Sequence, residues 1–198
     1  MLGRLPTVAL GHYRATEAEL PALATNWRGG GTIVNNGHTI QVNVPEGSTL
    51  TRGDQVYDLV QYHLHAPSEH LVDGRKFPIE AHFVHRNVSG GLGVLGVFLV
   101  PGTTNPAFAN LAAGFPQEVG GEAPADGIDP AGLLPASLGY YAYEGSLTTP
   151  PCSEIVDWMV VKQPLEVAPT DIDSFTALYP MNARPVLPAN RRFILSSI

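Results

Sequence analysis

His63 and His65 stand at i and i+2 in the stretch Gln61-Tyr-His-Leu-His-Ala-Pro-Ser-Glu-His70. On a strand over Asp54 to Ala66, both imidazoles project from one face, close enough to share a small cation. A third histidine, His82, stands on a second strand pattern, Ile79-Glu-Ala-His-Phe-Val-His85. Three neutral imidazoles leave a fourth tetrahedral position open, the mark of a catalytic rather than a structural zinc site. Histidine ligands also need acceptors behind them to fix tautomer and ring orientation. Gln61 and Glu80 stand two residues before His63 and His82, on the same faces, where they can do this.

These side chains need a sheet to carry them. Gln55 to His65 alternates, which sets Tyr57, Leu59, Gln61, His63 and His65 on one face. Phe77 to His85 is the next strand, with Glu80, His82 and Val84 on one face and His85 on the other. Leu92 to Val100 is a nearly continuous apolar run, as a central buried strand requires. Thr7 to His12, Tyr140 to Glu144 and Ile155 to Lys162 also read as strands. Asn36-Gly37, between the apolar runs Thr32 to Val34 and Thr39 to Val44, predicts a tight hairpin with His38 just beyond the turn. Glu17 to Trp27 reads as one helical turn or an irregular loop. Asn105 to Phe115 reads as a helix, with Asn105 as N-cap and Pro106 in the first turn. Gln117 to Gly139 is loop-rich, with a helical turn at Pro130 to Leu134. A second helix starts at Thr170, with an acidic first turn that suits its dipole. Loops and a short strand close the chain from Asn182 to Ile198.

A length of 198 residues suits a single domain spanning 1–198, and 21 glycines with 18 prolines favour short strands and turns over a helical bundle. The expected fold class is mostly β: a large twisted, predominantly antiparallel central sheet with a few short peripheral helices. A net charge of −7 without a basic run disfavours nucleic acid and acidic membranes as partners. Cys152 is the one cysteine, which excludes an intrachain disulfide and a cysteine-rich zinc site. No apolar run is long enough to span a bilayer. A His-x-His followed by Glu69 also occurs in cupin-type iron or manganese sites. That pattern then expects a glycine farther along than Gly74 and a second motif, which is absent.

Six pieces stand in order: Asn35-Asn-Gly-His38, Gln61-Tyr-His-Leu-His65, Glu69-His70, Glu80-Ala-His-Phe-Val-His85, Ser146-Leu-Thr-Thr-Pro-Pro151 and Asn182-Ala-Arg-Pro185. Together they resemble an α-class carbonic anhydrase of the bacterial type, from about Leu5 to the C-terminus. The resemblance implies a zinc enzyme, a lyase, that reversibly hydrates CO2 to bicarbonate and a proton. His63, His65 and His82 match the zinc ligands. Gln61 and Glu80 match the residues that orient them, and the main chain near Asn182 would serve His65. Thr148 matches the threonine that accepts from the reactive hydroxide, and Glu69 the acid that holds that threonine. His38 matches the proton shuttle. Val84, Val94, Leu147, Val156 and Trp158 match the apolar wall where CO2 rests, and Thr149 lines the substrate side. Each piece alone has an ordinary reading: a structural carboxylate at Glu69, a turn hydroxyl at Thr148, a solvated hairpin residue at His38. His12, His70 and His85 read as structural.

The chain also departs from the family pattern. Cys152 matches the second cysteine of a family disulfide, whose first partner is absent here. The family's N-terminal segment beside the cleft, with its Ser-Pro-Ile motif, is missing too. Its absence predicts an apolar flank around Leu5, Val8 and Leu10, and hence a homodimer that covers it. The resemblance implies a periplasmic or secreted protein, whereas the chain shows no signal peptide, which leaves a cytoplasmic location open. A carbonic anhydrase-related binding module without catalysis is a further reading, but such modules typically lack a zinc histidine and this chain has all three.

Overall fold

The computed structural model describes residues 15–198, and Ala9–Leu10 by main chain only. Leu5, Val8 and His12, and with them the expected apolar flank, lie outside the described residues.

The strands run in chain order from β1 (Ala9–Leu10) through β2 (Thr16–Ala18), β3 (Leu23–Asn26), β4 (Thr32–Asn35), β5 (Ile40–Asn43), β6 (Thr49–Arg52) and β7 (Gln55–His65) to β8 (Leu71–Val72). They continue with β9 (Ile79–Arg86), β10 (Leu92–Pro101), helix α1 (Pro106–Ala113), β11 (Glu122–Pro124), a 3-10 turn (Pro130–Leu133), β12 (Tyr140–Gly145), β13 (Val156–Val161), β14 (Leu165–Val167), α2 (Pro169–Leu178) and β15 (Leu195–Ser197). Thirteen strands form one sheet, along the path β11-β4-β5-β7-β9-β10-β13-β12-β15-β2, with β3, β6 and β14 off that path. Most pairings are antiparallel; β10–β13, β10–β14 and β15–β2 are parallel. The expected mostly β fold with few helices is the fold observed.

β10 lies between β9 and β13, and its residues from Gly93 to Leu99 are all buried. That explains the unbroken apolar run, since both faces of this strand are covered. On one face Tyr62, Leu64, Phe83 and Leu95 pack with Phe108 and Leu111 of α1 and Phe175 of α2. The Asn105 side chain accepts from the Phe108 N–H and caps α1. On the other face Val94, Phe98, Val156 and Trp158 form a second apolar cluster.

The structure corrects five readings. Glu17 to Trp27 holds strands instead of a helical turn: β2 joins β15 and β3 joins β6, with Leu23 and Trp27 buried. Pairing with distant strands outweighs a weak local signal there. β6, β11 and β14 are further short strands whose pairing partners are distant in sequence or which sit among turns. Helix α2 begins at Pro169, one residue before the expected start, and has no side-chain cap. The hairpin after Asn35 is four residues long, because Asn35 pairs with Ile40. Asn36 Oδ1 accepts from the His38 and Thr39 N–H groups, and Gly37 takes φ +82°, a left-handed conformation that glycine allows.

The fifth correction concerns β7. Leu59 pairs with His85, yet Gln61 pairs with Val84, so Val60 is an extra residue in the ladder. This β-bulge turns the strand over. Tyr57 and Leu59 are therefore buried on the core side with Tyr62 and Leu64, and only Gln61, His63 and His65 share the opposite face.

Candidate metal centre and its apolar wall

Beyond the bulge, β7 aims His63 and His65 at His82, which stands directly across from His63 on β9. The three ring centroids lie 4.9, 5.5 and 4.6 Å apart. One ligand nitrogen from each ring falls within 4.8 Å of the others. His65 and His82 are buried and His63 nearly so.

Gln61 and Glu80 each lie beside one of the rings. Gln61 Oε1 lies 2.8 Å from His63 Nδ1, which leaves the Nε2 of that ring bare. Glu80 Oε1 lies 3.1 Å from His82 Nε2 and leaves Nδ1 facing the pocket. The Asn182 main chain faces His65, although neither nitrogen of His65 closes a hydrogen bond with protein. Burial drives the pKa of His63 down to about 3 and that of His65 well below the ordinary value, with charge on His82 adding to both. His82 is raised instead, because the Glu80 carboxylate overcomes its burial. Two neutral imidazoles with bare nitrogens, buried and facing one another, cost free energy unless something accepts their lone pairs. A nitrogen-preferring divalent cation satisfies all three at once, and three histidines suit zinc.

Glu80 is the hub behind the ligands. Its Oε2 accepts from the Glu69 and His70 N–H groups, each at 2.9 Å. Its Oε1 lies 2.6 Å from His70 Nδ1, whose ring meets the Tyr143 hydroxyl, also at 2.6 Å, through Nε2. Tyr143 is fully buried and held well above its ordinary pKa by burial and by Glu80, so it donates to His70, which in turn donates to Glu80. Burial pushes the Glu80 pKa up, but His70 and His82 outweigh it and hold the carboxylate ionised. His70, Glu80 and His82 also stand within metal-binding distance of one another, but these hydrogen bonds occupy both His70 nitrogens. Sequence reasoning left His70 as structural and did not single out Tyr143. Gly96 was missed as well: a Cβ there would stand 2.9 Å from Glu80 Oε1, so the glycine makes room for the carboxylate.

Glu69 is buried beside the cluster. Its Oε1 accepts from the Arg184 N–H at 2.9 Å, while its Oε2 has no partner and lies 3.7 Å from His65 Nε2. Burial raises its pKa; the Arg184 N–H and the Thr148 side chain, which faces the same carboxyl, draw it down. The Arg184 guanidinium donates to Leu147 O, so one residue braces both Glu69 and the loop that carries Thr148. The apolar residues also assemble. Val94, Val156 and Trp158 belong to one cluster, against which Val84 and Leu147 pack. The Trp158 ring lies 4.8 Å from both His70 and His82, which sets this cluster against the histidines. Thr149 is exposed on the same loop as Thr148, and His38 is exposed on the turn before β5. His85 sits on the opposite face against Trp27. A cavity of about 870 Å³ between β12, β13 and the C-terminal segment, lined by Ile155, Arg191 and Phe193 among others, contains none of the three histidines.

Three histidines that could hold a metal ion, beside an apolar wall on a large mixed sheet, make a candidate metal centre, and comparisons with known proteins give its family. The family model of eukaryotic-type carbonic anhydrases matches residues 13–198. A carbonic anhydrase of Nostoc sp. is 44% identical over 168 residues, covering 84% of this chain and 64% of that protein. One from Neisseria gonorrhoeae is 42% identical over 180 residues, 89% of this chain and 71% of its own. The solved α-carbonic anhydrase of Thermovibrio ammonificans, in complex with sulfanilamide, superimposes with a TM-score of 0.93 at 38% identity, covering 96% of this chain and 86% of that one. That of Photobacterium profundum gives 0.89 at 38% identity, covering 98% and 89%. The chain belongs to the eukaryotic-type, or α-class, carbonic anhydrase family. It spans just under two thirds of the length of the Nostoc relative. Among the described residues, no helix is long and apolar enough to cross a membrane.

Proposed function

We propose that this chain reversibly hydrates CO2 to bicarbonate and a proton, at a zinc ion held by His63, His65 and His82. The observation that carries the proposal is that one ligand nitrogen from each of three imidazoles lies within 4.8 Å of the others, beside an apolar wall. Zinc bound there supplies hydroxide at neutral pH, because it lowers the pKa of water from about 15.7 to about 7. The protein's own residues do the rest. Gln61, Glu80 and the Asn182 main chain fix the three rings, and neutral rings preserve the cation's charge. The Thr148 hydroxyl donates its hydrogen bond to Glu69, which leaves the Thr148 oxygen able only to accept toward the pocket. An attacking O–H that donates to Thr148 then turns its lone pair toward the substrate. Val84, Val94, Leu147, Val156 and Trp158, whose indole N–H is spent on Ser146 O, give that substrate a surface without free side-chain donors, which suits CO2 and not water. Thr149 lines the mouth of this space. His38, exposed on the rim, passes the released proton to solvent, a task for the side chain type that titrates near neutrality.

Metal analysis paired with CO2-hydration kinetics on one preparation tests this. One zinc per chain is expected, with activity lost on chelation and regained with zinc. A preparation that carries iron or manganese and does not hydrate CO2 would favour the cupin-type reading. Stoichiometric zinc without hydration would favour a binding module.

A further inference from the structure

Asn182 lies far from His38 and His65 in sequence, yet its side chain touches the main chain around both. Its Nδ2 donates to His38 O at 3.0 Å and to Leu64 O at 2.9 Å. Its Oδ1 accepts from the Ala66 N–H at 2.7 Å. Leu64 and Ala66 are the neighbours of His65, so one amide joins the rim turn to both peptides that flank a candidate ligand. Its own N–H donates to Ala66 O and holds the amide in place. We infer that the Asn182 side chain is a positioning residue: it fixes His38 in one frame with the three-histidine pocket, and proton export depends on that fixed separation.

The two ends of the bridge are not equally dependent on it. Leu64 has a second anchor, because Thr39 Oγ1 donates to Leu64 O and accepts from Leu64 N–H. His38 has no such reserve. Its N–H is spent inside its own turn on Asn36 Oδ1. Among the described residues, Asn182 makes the one hydrogen bond that ties His38 to anything outside the turn. Losing the Nδ2 donors therefore frees the His38 peptide, while Thr39 keeps the end of the turn and the ligand strand joined. A carrier that wanders lengthens the water path to the pocket, and small misplacements cost rate steeply. The effect falls on proton removal, which follows the chemical step, and not on CO2 attack.

The inference rests on the proposed role of His38, so His38→Ala is measured in parallel with Asn182→Asp. The aspartate keeps the size and the acceptor for Ala66 N–H, but removes both donors and sets a carboxylate oxygen against two carbonyls. In weak buffer, kcat of Asn182→Asp should fall by about tenfold, the scale of a lost positioning contact. Any loss of kcat/KM or zinc content should be smaller than the loss of kcat, and added imidazole should restore kcat. Nitrogen-15 relaxation of the metal-free protein should show added motion at His38 and none at His65. Asn182→Ala provides the same readouts if the aspartate variant does not fold. Equal loss of kcat, kcat/KM and zinc without rescue would show that Asn182 serves the ligand strand alone. A normal Asn182→Asp beside an impaired His38→Ala would overturn the inference and leave the shuttle standing. If His38→Ala shows no buffer-dependent loss, the shuttle falls and the inference with it.

Discussion

Glu69 divides its two carboxylate oxygens between different tasks. One is fixed by the Arg184 N–H, and the other faces the histidine pocket without a partner. Thr148 faces the same carboxyl, so the two act as a unit in the proposed mechanism. Thr148→Ala or Glu69→Gln should each lower kcat/KM by about 10²-fold, the usual scale for a lost orienting hydrogen bond. Because the two act in series, the double variant should be little worse than the worse single one. Losses that simply multiply, measured by stopped-flow hydration, would argue against the relay. His85 offers a separate test, on stability. It is buried against Trp27, its Nδ1 donates to Gly93 O, and its Nε2 has no partner. Burial holds its pKa at about 4, against an ordinary 6.5. Between these values the unfolded chain takes up a proton that the native imidazole resists. Stability contributed by the neutral ring is therefore complete above about pH 6.5 and falls as the pH drops toward 4, by at most roughly 3 kcal/mol. His85→Asn, whose amide can still donate to Gly93, should flatten that slope in urea unfolding at pH 7 and pH 4.5. Parallel slopes in the two proteins would show that other groups carry the acid sensitivity.

Strand β7 does two jobs that a regular strand cannot combine. Its first half buries Tyr57 and Leu59 in the core, and its second half points Gln61, His63 and His65 the other way. The alternation of Gln55 to His65 reads as one uninterrupted face. An extra residue in a ladder leaves no mark in a pattern of period two when both faces hold large side chains. Val60 itself is 40% exposed, and its carbonyl accepts from the Val44 N–H. Val60→Ala should therefore be nearly silent. Deleting Val60 leaves the ladder regular: Leu59 and Gln61 become consecutive, Tyr57, Leu59, Tyr62 and Leu64 keep one face, and Gln61, His63 and His65 keep the other. The deletion should therefore keep stoichiometric zinc binding and cost about 1 kcal/mol, for the main-chain bond from Val44 that Val60 accepts. Zinc content and urea unfolding on the same sample decide the point. Loss of zinc, or destabilisation by several kcal/mol, would mean that the extra residue shapes the pocket beyond setting which side chains face it.

At the scale of the molecule, the convergence of the histidines was more legible in the sequence than the architecture around them. His63, His65 and His82, and the supports Gln61 and Glu80, are legible because strand geometry converts spacing directly into facing. The long strands were visible for the same reason. β2, β3 and β6 were not: they are three or four residues long, and their pairing partners, not their composition, make them strands. The network of His70, Tyr143 and Gly96 was illegible for a related reason. It joins β9, β10, β12 and the loop after β7, and no local pattern records such a meeting. The apolar wall became visible only through family resemblance, because a valine in a wall and a valine in a core look alike.

One arrangement described above also sets an order in time. His63, His65 and His82 lie on β7 and β9, which pair antiparallel and are close in sequence, and β10 follows β9 directly. The apolar wall needs β13, which reaches β10 only in parallel after α1, the 3-10 turn and β12 have been crossed. Closing a short loop precedes closing a long one, because the chain entropy surrendered is smaller. During folding the ligand hairpin should therefore form before the wall, and pulsed hydrogen exchange should protect β7, β9 and β10 amides ahead of those in β12 and β13. Simultaneous protection would make the sheet a single kinetic unit. Where the order holds, a nascent chain has three converging imidazoles before it has the apolar surface beside them, so the proposed metal capture can come first and the half-built sheet closes around it.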